Sequence, residues 1–189
     1  MSAFEGRRSY KIVLLGEATV GKTTLRRKYM GETLKSDNYM PTMGVDFSIK
    51  HIDGDVIQIW DFAGQSPYRK IRNQFYKKTL GILLMYDITN PNSFARLGNW
   101  INEAMVSLKS QVPLFILGNK SDLKVGADTE VKTEEVMEYI DYIQPWYYFD
   151  IRWFETSALT GQNVDLVFTN LVQVIEEWLN THHTHNSLK

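Results

Sequence analysis

The stretch Gly16-Glu17-Ala18-Thr19-Val20-Gly21-Lys22-Thr23 matches G-x-x-x-x-G-K-[ST] and lies between a short apolar run and a helical one. Glycines reach backbone conformations that a side chain forbids. The amides of Glu17, Ala18, Thr19, Val20 and Gly21 can therefore turn inward around phosphate oxygens, reinforced by the positive end of the following helix. Lys22 is placed to reach the β- and γ-phosphates of a nucleotide and the Thr23 hydroxyl to ligate Mg²⁺, with Thr24 next in the same turn. A glycine turn followed by an exposed lysine would give the same letters, but the strand–loop–helix setting favours phosphate. The motif does not identify the base.

Asn119-Lys120-Ser121-Asp122 follows the apolar run that ends at Leu117-Gly118, which puts it at the carboxyl edge of a sheet, where open α/β folds bind ligands. An aspartate there accepts two hydrogen bonds from guanine, one from the ring N–H and one from the exocyclic amine. Adenine lacks that donor pair, and a buried unpaired carboxylate is costly. Alone the tetrapeptide reads as a polar turn. It gains meaning beside the phosphate loop and beside Thr156-Ser157-Ala158-Leu159, where a backbone N–H can meet the guanine carbonyl oxygen.

These segments need a scaffold. Tyr10–Leu15 reads as a buried strand ended by Gly16, and Lys22–Met30 as a helix stopping at Gly31. Residues 45–52 largely alternate apolar and polar, Asp53-Gly54 follows, and Val56–Trp60 resumes a strand, which is a hairpin signal. Gly81–Tyr86, Leu114–Leu117 and a weaker Arg152–Phe154 read as further strands, with helical patterns at about 92–109, 132–144 and 163–180. Alternating strands and helices imply a mainly parallel sheet covered on both faces, the hairpin adding one antiparallel edge strand. No repeat, low-complexity stretch or linker interrupts the chain.

Composition agrees with a single α/β domain. The 189 residues hold 21 Lys+Arg, 22 Asp+Glu and no cysteine. A formal net charge of −1 gives no electrostatic reason to expect nucleic acid as a partner. Without cysteine there is no disulfide, thiolate metal site or cysteine nucleophile, and no residue to carry a prenyl or palmitoyl anchor. Met1-Ser2 lacks the glycine needed for myristoylation, and no apolar run approaches the roughly 18 residues of a membrane span. The expectation is a cytoplasmic protein with no lipid of its own, recruited to membranes through partners if at all.

Taken together, the sequence resembles the Ras superfamily of small GTPases, most closely its Rab-like branch, over residues 10–180. The likeness rests on Gly16 to Thr23, Tyr39-Met40-Pro41-Thr42, Asp61-Phe62-Ala63-Gly64-Gln65, Asn119 to Asp122 and Glu155-Thr156-Ser157-Ala158-Leu159. The Rab leaning comes from Gly44-Val45-Asp46-Phe47, Ile59-Trp60-Asp61 and Gly81 to Asp87.

The resemblance implies a small G domain: a six-stranded, mainly parallel sheet with five helices, flanked by an extension at 1–9 and a tail at 181–189. It implies Mg²⁺, GTP and GDP as ligands. Thr42 would ligate the metal and sense the γ-phosphate, and Asp61 would hold the metal, through a water. The Gly64 amide would contact the γ-phosphate and Gln65 would orient the attacking water, with Lys22 and Mg²⁺ stabilising the developing charge. Asn119 and Asp122 would hold guanine, Lys120 laying its stem along one face, with Ser157, Ala158 and Leu159 beside it. An exchange factor, an activating protein and effectors would meet two switch loops that change on hydrolysis. The family favours a monomer. A scaffold that holds one nucleotide without cycling is the rival reading; an ATP-dependent enzyme on the same loop is disfavoured by Asn119 and Asp122.

Several positions depart from the family. Ala18 stands where Ras has glycine and many Rabs serine, and Thr19 adds bulk beside it, so both bear on the approach of an arginine from an activating protein. Phe62 replaces a threonine and reads as an apolar anchor under the second switch, with a partner-facing residue as the other reading. Ser66-Pro67 follows Gln65 where Rabs commonly have glutamate. Leu34 takes the place of an aromatic beside guanine, and the spacing from Leu25 to Thr42 is longer than usual. Extra residues fall near Gln144-Pro145-Trp146-Tyr147-Tyr148-Phe149-Asp150, where Pro145 should end a helix and the aromatics should pack on the last helix, an exposed Trp/Tyr cluster marking a partner site instead. His182, His183 and His185 read as a solvated tail.

Overall fold

Buried on both faces, a central strand must be apolar at every position, and the chain has three such runs. The computed structural model describes residues 8–33, 41–127 and 129–186, with side chains to residue 181. Its strands are β1 (Ser9–Leu15), β2 (Val45–Ile52), β3 (Asp55–Phe62), β4 (Gly81–Asp87), β5 (Leu114–Asn119) and β6 (Arg152–Thr156), in one sheet ordered β2-β3-β1-β4-β5-β6. All pairings are parallel except β2 with β3. The β2–β3 turn has Asp53 at φ 49° and Gly54 at φ 93°, the two positive values a tight two-residue hairpin needs.

The helices are α1 (Lys22–Tyr29), α2 (Arg69–Phe75), α3 (Pro91–Ala95, resuming after Arg96 as Leu97–Ser107), α4 (Thr133–Ile143) and α5 (Val164–Asn186). Alternation along β1 splits the core. Val13 and Leu15 join Leu84, Ile116, Leu97, Trp100 and Val136 on one face. Ile12 and Leu14 join Leu83, Met85, Leu117, Leu25, Phe168 and Leu171 on the other. The six-stranded, five-helix architecture is as expected, and α5 continues to Asn186, past the end of the apolar spacing at 180. α2 had no apolar stripe to announce it: in Arg69–Phe75 only Ile71 and Phe75 are apolar.

The edge strand β2 turns apolar side chains outward. Phe47 and Ile49 are exposed, and Phe47 stacks on Trp60 at 5.2 Å. Phe62 is fully buried and meets Tyr76 edge-on at 5.0 Å, so it is the apolar anchor its position suggested. The aromatic stretch after Pro145 divides. α4 ends at Ile143, Tyr147 packs on the core and Phe149 meets Trp178 of α5 edge-on at 5.5 Å. Trp146 and Tyr148 are 75% and 91% exposed, so only part of the stretch packs inward. Two glutamine side chains pin it. Gln111 donates to the Trp146 carbonyl (2.7 Å) and accepts from the Tyr148 amide (2.8 Å), while Gln144 bonds Phe149 and Ile151 in the same way (2.9 Å each). Leu34, Tyr39 and Met40 lie outside the described residues, as do the side chains of His182, His183 and His185.

Phe62→Ala should destabilise the protein by roughly 3–5 kcal/mol, read by urea unfolding, because it empties a fully enclosed site. Trp146→Ala should stay within about 0.5 kcal/mol of the unaltered protein, as expected of an exposed side chain.

Candidate functional site

The parallel register carries Leu15, Asp61, Asp87, Asn119 and Thr156 to one edge of the sheet, with Asp87 opposite Asn119 and Asn119 opposite Thr156. A cleft of about 440 Å³ opens there. Into it face Ala18, Thr19, Gly21, Lys22, Thr23, Thr24, Pro41, Thr42, Gly64, Gln65, Asn119, Lys120, Asp122, Leu123, Ala158 and Leu159. Segments spread over most of the chain thus share one cavity.

At one end lies the glycine loop. Gly16 (φ 137°) and Gly21 (φ 104°) sit where a side chain has no room: a Cβ would come within 2.2 Å of the Met85 carbonyl or 2.1 Å of Asn119 Nδ2. Thr19 adopts φ 66°, a costly conformation for a β-branched residue. Lys22 is buried, its ammonium donating to the Gly16 (2.8 Å) and Glu17 (2.6 Å) carbonyls. Burial pushes its pKa down to about 8. An anion alongside would raise that pKa again and hold the ammonium charged, which suits the site to negative ligands.

Beside Lys22 the oxygen donors converge. Thr23 Oγ1 donates to Asp61 Oδ2 at 2.5 Å and lies 2.9 Å from Thr42 Oγ1. Asp61 is fully buried, its other oxygen has no hydrogen-bond partner, and burial raises its pKa above the usual carboxylate range. An unpartnered carboxylate oxygen next to two hydroxyls is a hard-oxygen set that suits Mg²⁺. Among the described residues no group of three or more His, Cys, Asp or Glu offers a metal site, so such an ion would take its remaining ligands from phosphate and water. Sequence reasoning missed Arg26, which is buried 4.0 Å from Asp61 Oδ2 and bonds Asp46 (2.7 Å) and Ser48. Two cations thus flank the Asp61 carboxylate.

At the other end, Asn119 is a tie. Its Nδ2 donates to the Val20 carbonyl (2.7 Å), and its Oδ1 accepts from the Ala158 amide (3.0 Å) and the Thr156 hydroxyl (3.2 Å). It joins the phosphate loop to β5 and to the turn after β6. Lys120 stands at φ 69° with Nζ 2.6 Å from Asp87 Oδ2, a partner the sequence did not suggest. Asp122 accepts from the Ser157 hydroxyl at 2.5 Å, which holds its carboxylate at the cleft. Glu17, Val20, Ser157 and Asp61 stand behind the lining rather than in it.

The loop after β3 closes the remaining side. Gly64 packs against the phosphate loop so tightly that a Cβ would fall 2.3 Å from the Ala18 amide nitrogen and 2.4 Å from the Glu17 carbonyl carbon. Gln65, exposed, faces the cleft immediately before the turn Ser66–Tyr68 that contains Pro67.

The family model of the Ras family matches residues 11–177. The chain belongs to the Ras family. Its relatives carry Rab names: it is 34% identical to the Ras-related protein Rab-26 of Bos taurus over 89% of this chain and 64% of that protein. It is 34% identical to the Ras-related protein RabC of Dictyostelium discoideum, covering 88% of this chain and 84% of the other. Against the Ras-related protein Rab-8B of Homo sapiens the identity is 35%, over 90% and 80%. With its family it is a small GTP-binding protein and a GTPase of the Rab-like branch. No helix among the described residues is long and apolar enough to cross a membrane.

The tie at Asn119 carries a consequence. Asn119→Ala leaves the Val20 carbonyl and the Ala158 amide without their partner, so stability should fall by roughly 1–3 kcal/mol. Labelled GDP should dissociate faster from the same variant. Unchanged melting and unchanged release together would show that the amide ties nothing.

Proposed function

We propose that this Ras-family protein cycles between GTP and GDP in the cleft, hydrolyses GTP slowly, and exposes different loop surfaces in the two states. One observation carries the reading: Lys22, Thr23 and Thr42, with Asp61 bonded behind Thr23, line the same cleft as Asn119, Lys120 and Asp122. Polyphosphate lies along the loop amides from Glu17 to Thr24, with Lys22 against the outer phosphates. Guanine lies between the Lys120 stem and the Leu159 turn, Asp122 accepting from its N–H groups while the backbone of Ser157, Ala158 and Leu159 meets its carbonyl oxygen. Thr23 and Thr42 would ligate Mg²⁺ and Asp61 would hold it through a water, and the ion would neutralise charge on the phosphate oxygens.

Gln65 supplies orientation. Its side chain borders the phosphate end, where it can align a water with the terminal phosphate while Gly64 donates an amide to the same group. Hydrolysis here depends on positioning and charge neutralisation rather than covalent chemistry, so a site lacking one cation is slow. Ala18 and Thr19 stand where an arginine from an activating protein would enter, and Ala18 narrows that entrance by one methyl group. The exposed side chains of Met43, Phe47, Ile49 and Ile71 flank the two loops and give exchange factors and effectors an apolar surface. The protein acts as a monomer, reaching membranes through such partners.

Denaturing the purified protein and identifying the released nucleotide tests the cycle: GDP is expected. Gln65→Leu should slow single-turnover hydrolysis by about 10²-fold, since it removes the group that orients water, and should shift the retained nucleotide toward GTP. Excess ATP should fail to displace labelled GDP. A bound nucleotide that neither hydrolyses nor exchanges would establish the non-cycling scaffold instead.

A further inference from the structure

Outside the cleft, one ion pair among the described residues has both partners buried. Arg72 of α2 and Glu103 of α3 are 2% and 5% exposed. They meet through two parallel bonds, Nε to Oε1 at 2.8 Å and Nη2 to Oε2 at 2.7 Å. Tyr76 adds a hydroxyl to Glu103 at 3.1 Å, and the exposed Arg69 lies 3.5 Å from it. The remaining guanidinium nitrogen, Nη1, donates to the backbone carbonyls of Ala63 and Gln65, each at 2.8 Å. These are the two residues on either side of Gly64. The guanidinium also lies 4.6 Å from the Trp100 ring, and Trp100 Nε1 donates to the Glu17 carboxylate at 3.0 Å.

A buried ion pair gives little net stability over apolar side chains of similar volume. What it supplies that apolar side chains do not is directional donors. Here they are spent on the carbonyls around Gly64, while Trp100 links the same guanidinium to the second residue of the phosphate loop. The Ala63–Gln65 segment is therefore gripped from behind by α3, and the loop it faces is gripped by the same helix.

We propose that Arg72, oriented by Glu103, is a positioning residue for GTP hydrolysis: it fixes the Gln65 backbone at a set distance from the phosphate loop and so presents the Gln65 side chain to the terminal phosphate. This rests on the GTPase reading above. Arg72 touches neither nucleotide nor water and acts through Gln65.

The test removes both charges together, since stranding one in the interior threatens folding. In Arg72→Met with Glu103→Gln, the new amide still accepts from Tyr76. Once circular dichroism and thermal melting show this double variant to be folded, single-turnover GTP hydrolysis should fall about tenfold or more, as misplacement of a catalytic group does. Release of labelled GDP should stay within about twofold, because the nucleotide contacts are intact. Amide hydrogen exchange should speed up at residues 63–66 and not in β4 or β5. In a Gln65→Leu background the same double change should cost little more, as expected of residues acting as one unit. Unchanged hydrolysis in the folded variant, or an undiminished further loss in the Gln65→Leu background, overturns the proposal. Should the unaltered protein hydrolyse no GTP, the GTPase reading fails separately. Exchange at 63–66 then decides alone whether Arg72 grips this segment: faster exchange supports the grip and unchanged exchange removes it. Should the double variant not fold, Arg72→Lys is measured by the same hydrolysis, release and exchange assays. It keeps the charge and loses the fork, so a selective loss of hydrolysis supports the proposal and an unchanged rate overturns it.

Discussion

The structure is organised around the tight loop between β1 and α1, the loop that the proposed function turns toward phosphate. It needs residues at positive φ to make the turn. Gly16, Thr19 and Gly21 supply those angles here. Such a loop is held open only if its neighbours brace it, and they do. Lys22 donates back to its carbonyls, Asn119 takes the Val20 carbonyl from across the sheet, Gly64 rests on Glu17 and Ala18, and Trp100 holds the Glu17 carboxylate. Side chains or backbone from α1, β5, the Gly64 turn and α3 thus touch this one loop. Strain at Thr19 persists because the surroundings over-determine it.

Charge follows from the same geometry. Lys22 and Arg26 are buried because the loop wraps one and β2 covers the other, and together they flank a fully enclosed Asp61. In a low-dielectric setting each of these groups is costly alone. Burial lowers the lysine and raises the aspartate, in each case toward the neutral form. The cluster is therefore incomplete as a set of protein groups. Under the proposed function, a polyphosphate with a divalent cation would offer negative oxygens to Lys22 and a positive centre to Asp61, Thr23 and Thr42, so that binding and electrostatic relief would be one event.

Distance from the cleft decides how residues are used. Near it, polar side chains make ties between elements: Asn119, Asp122 with Ser157, and Arg72 with Glu103. At the far edge, Gln111 and Gln144 do similar work for an irregular segment, pinning backbone groups that no strand pairs. That pinning lets Tyr147 and Phe149 turn inward while Trp146 and Tyr148 stay in solvent, a division that residue type alone does not foretell.

The sequence by itself determined the sheet, four of the helices and most of the cleft. Gly16–Thr23, Asn119–Asp122 and Ser157–Leu159 were legible because each requirement is local: a turn, a donor or an acceptor at the end of a strand. Central strands were legible because burial on both faces forces an apolar run. α2 was legible only by family likeness, since an element held through one buried arginine shows no apolar periodicity. The tertiary structure alone decided that Lys120 pairs with Asp87, that Arg26 stands behind Asp61, that Asn119 braces the loop, and that Arg72 finds Glu103 from the next helix. Each of those joins residues distant in the chain through a single specific contact. Such a contact leaves no period in the sequence, because it depends on where two elements come to rest rather than on what either is made of.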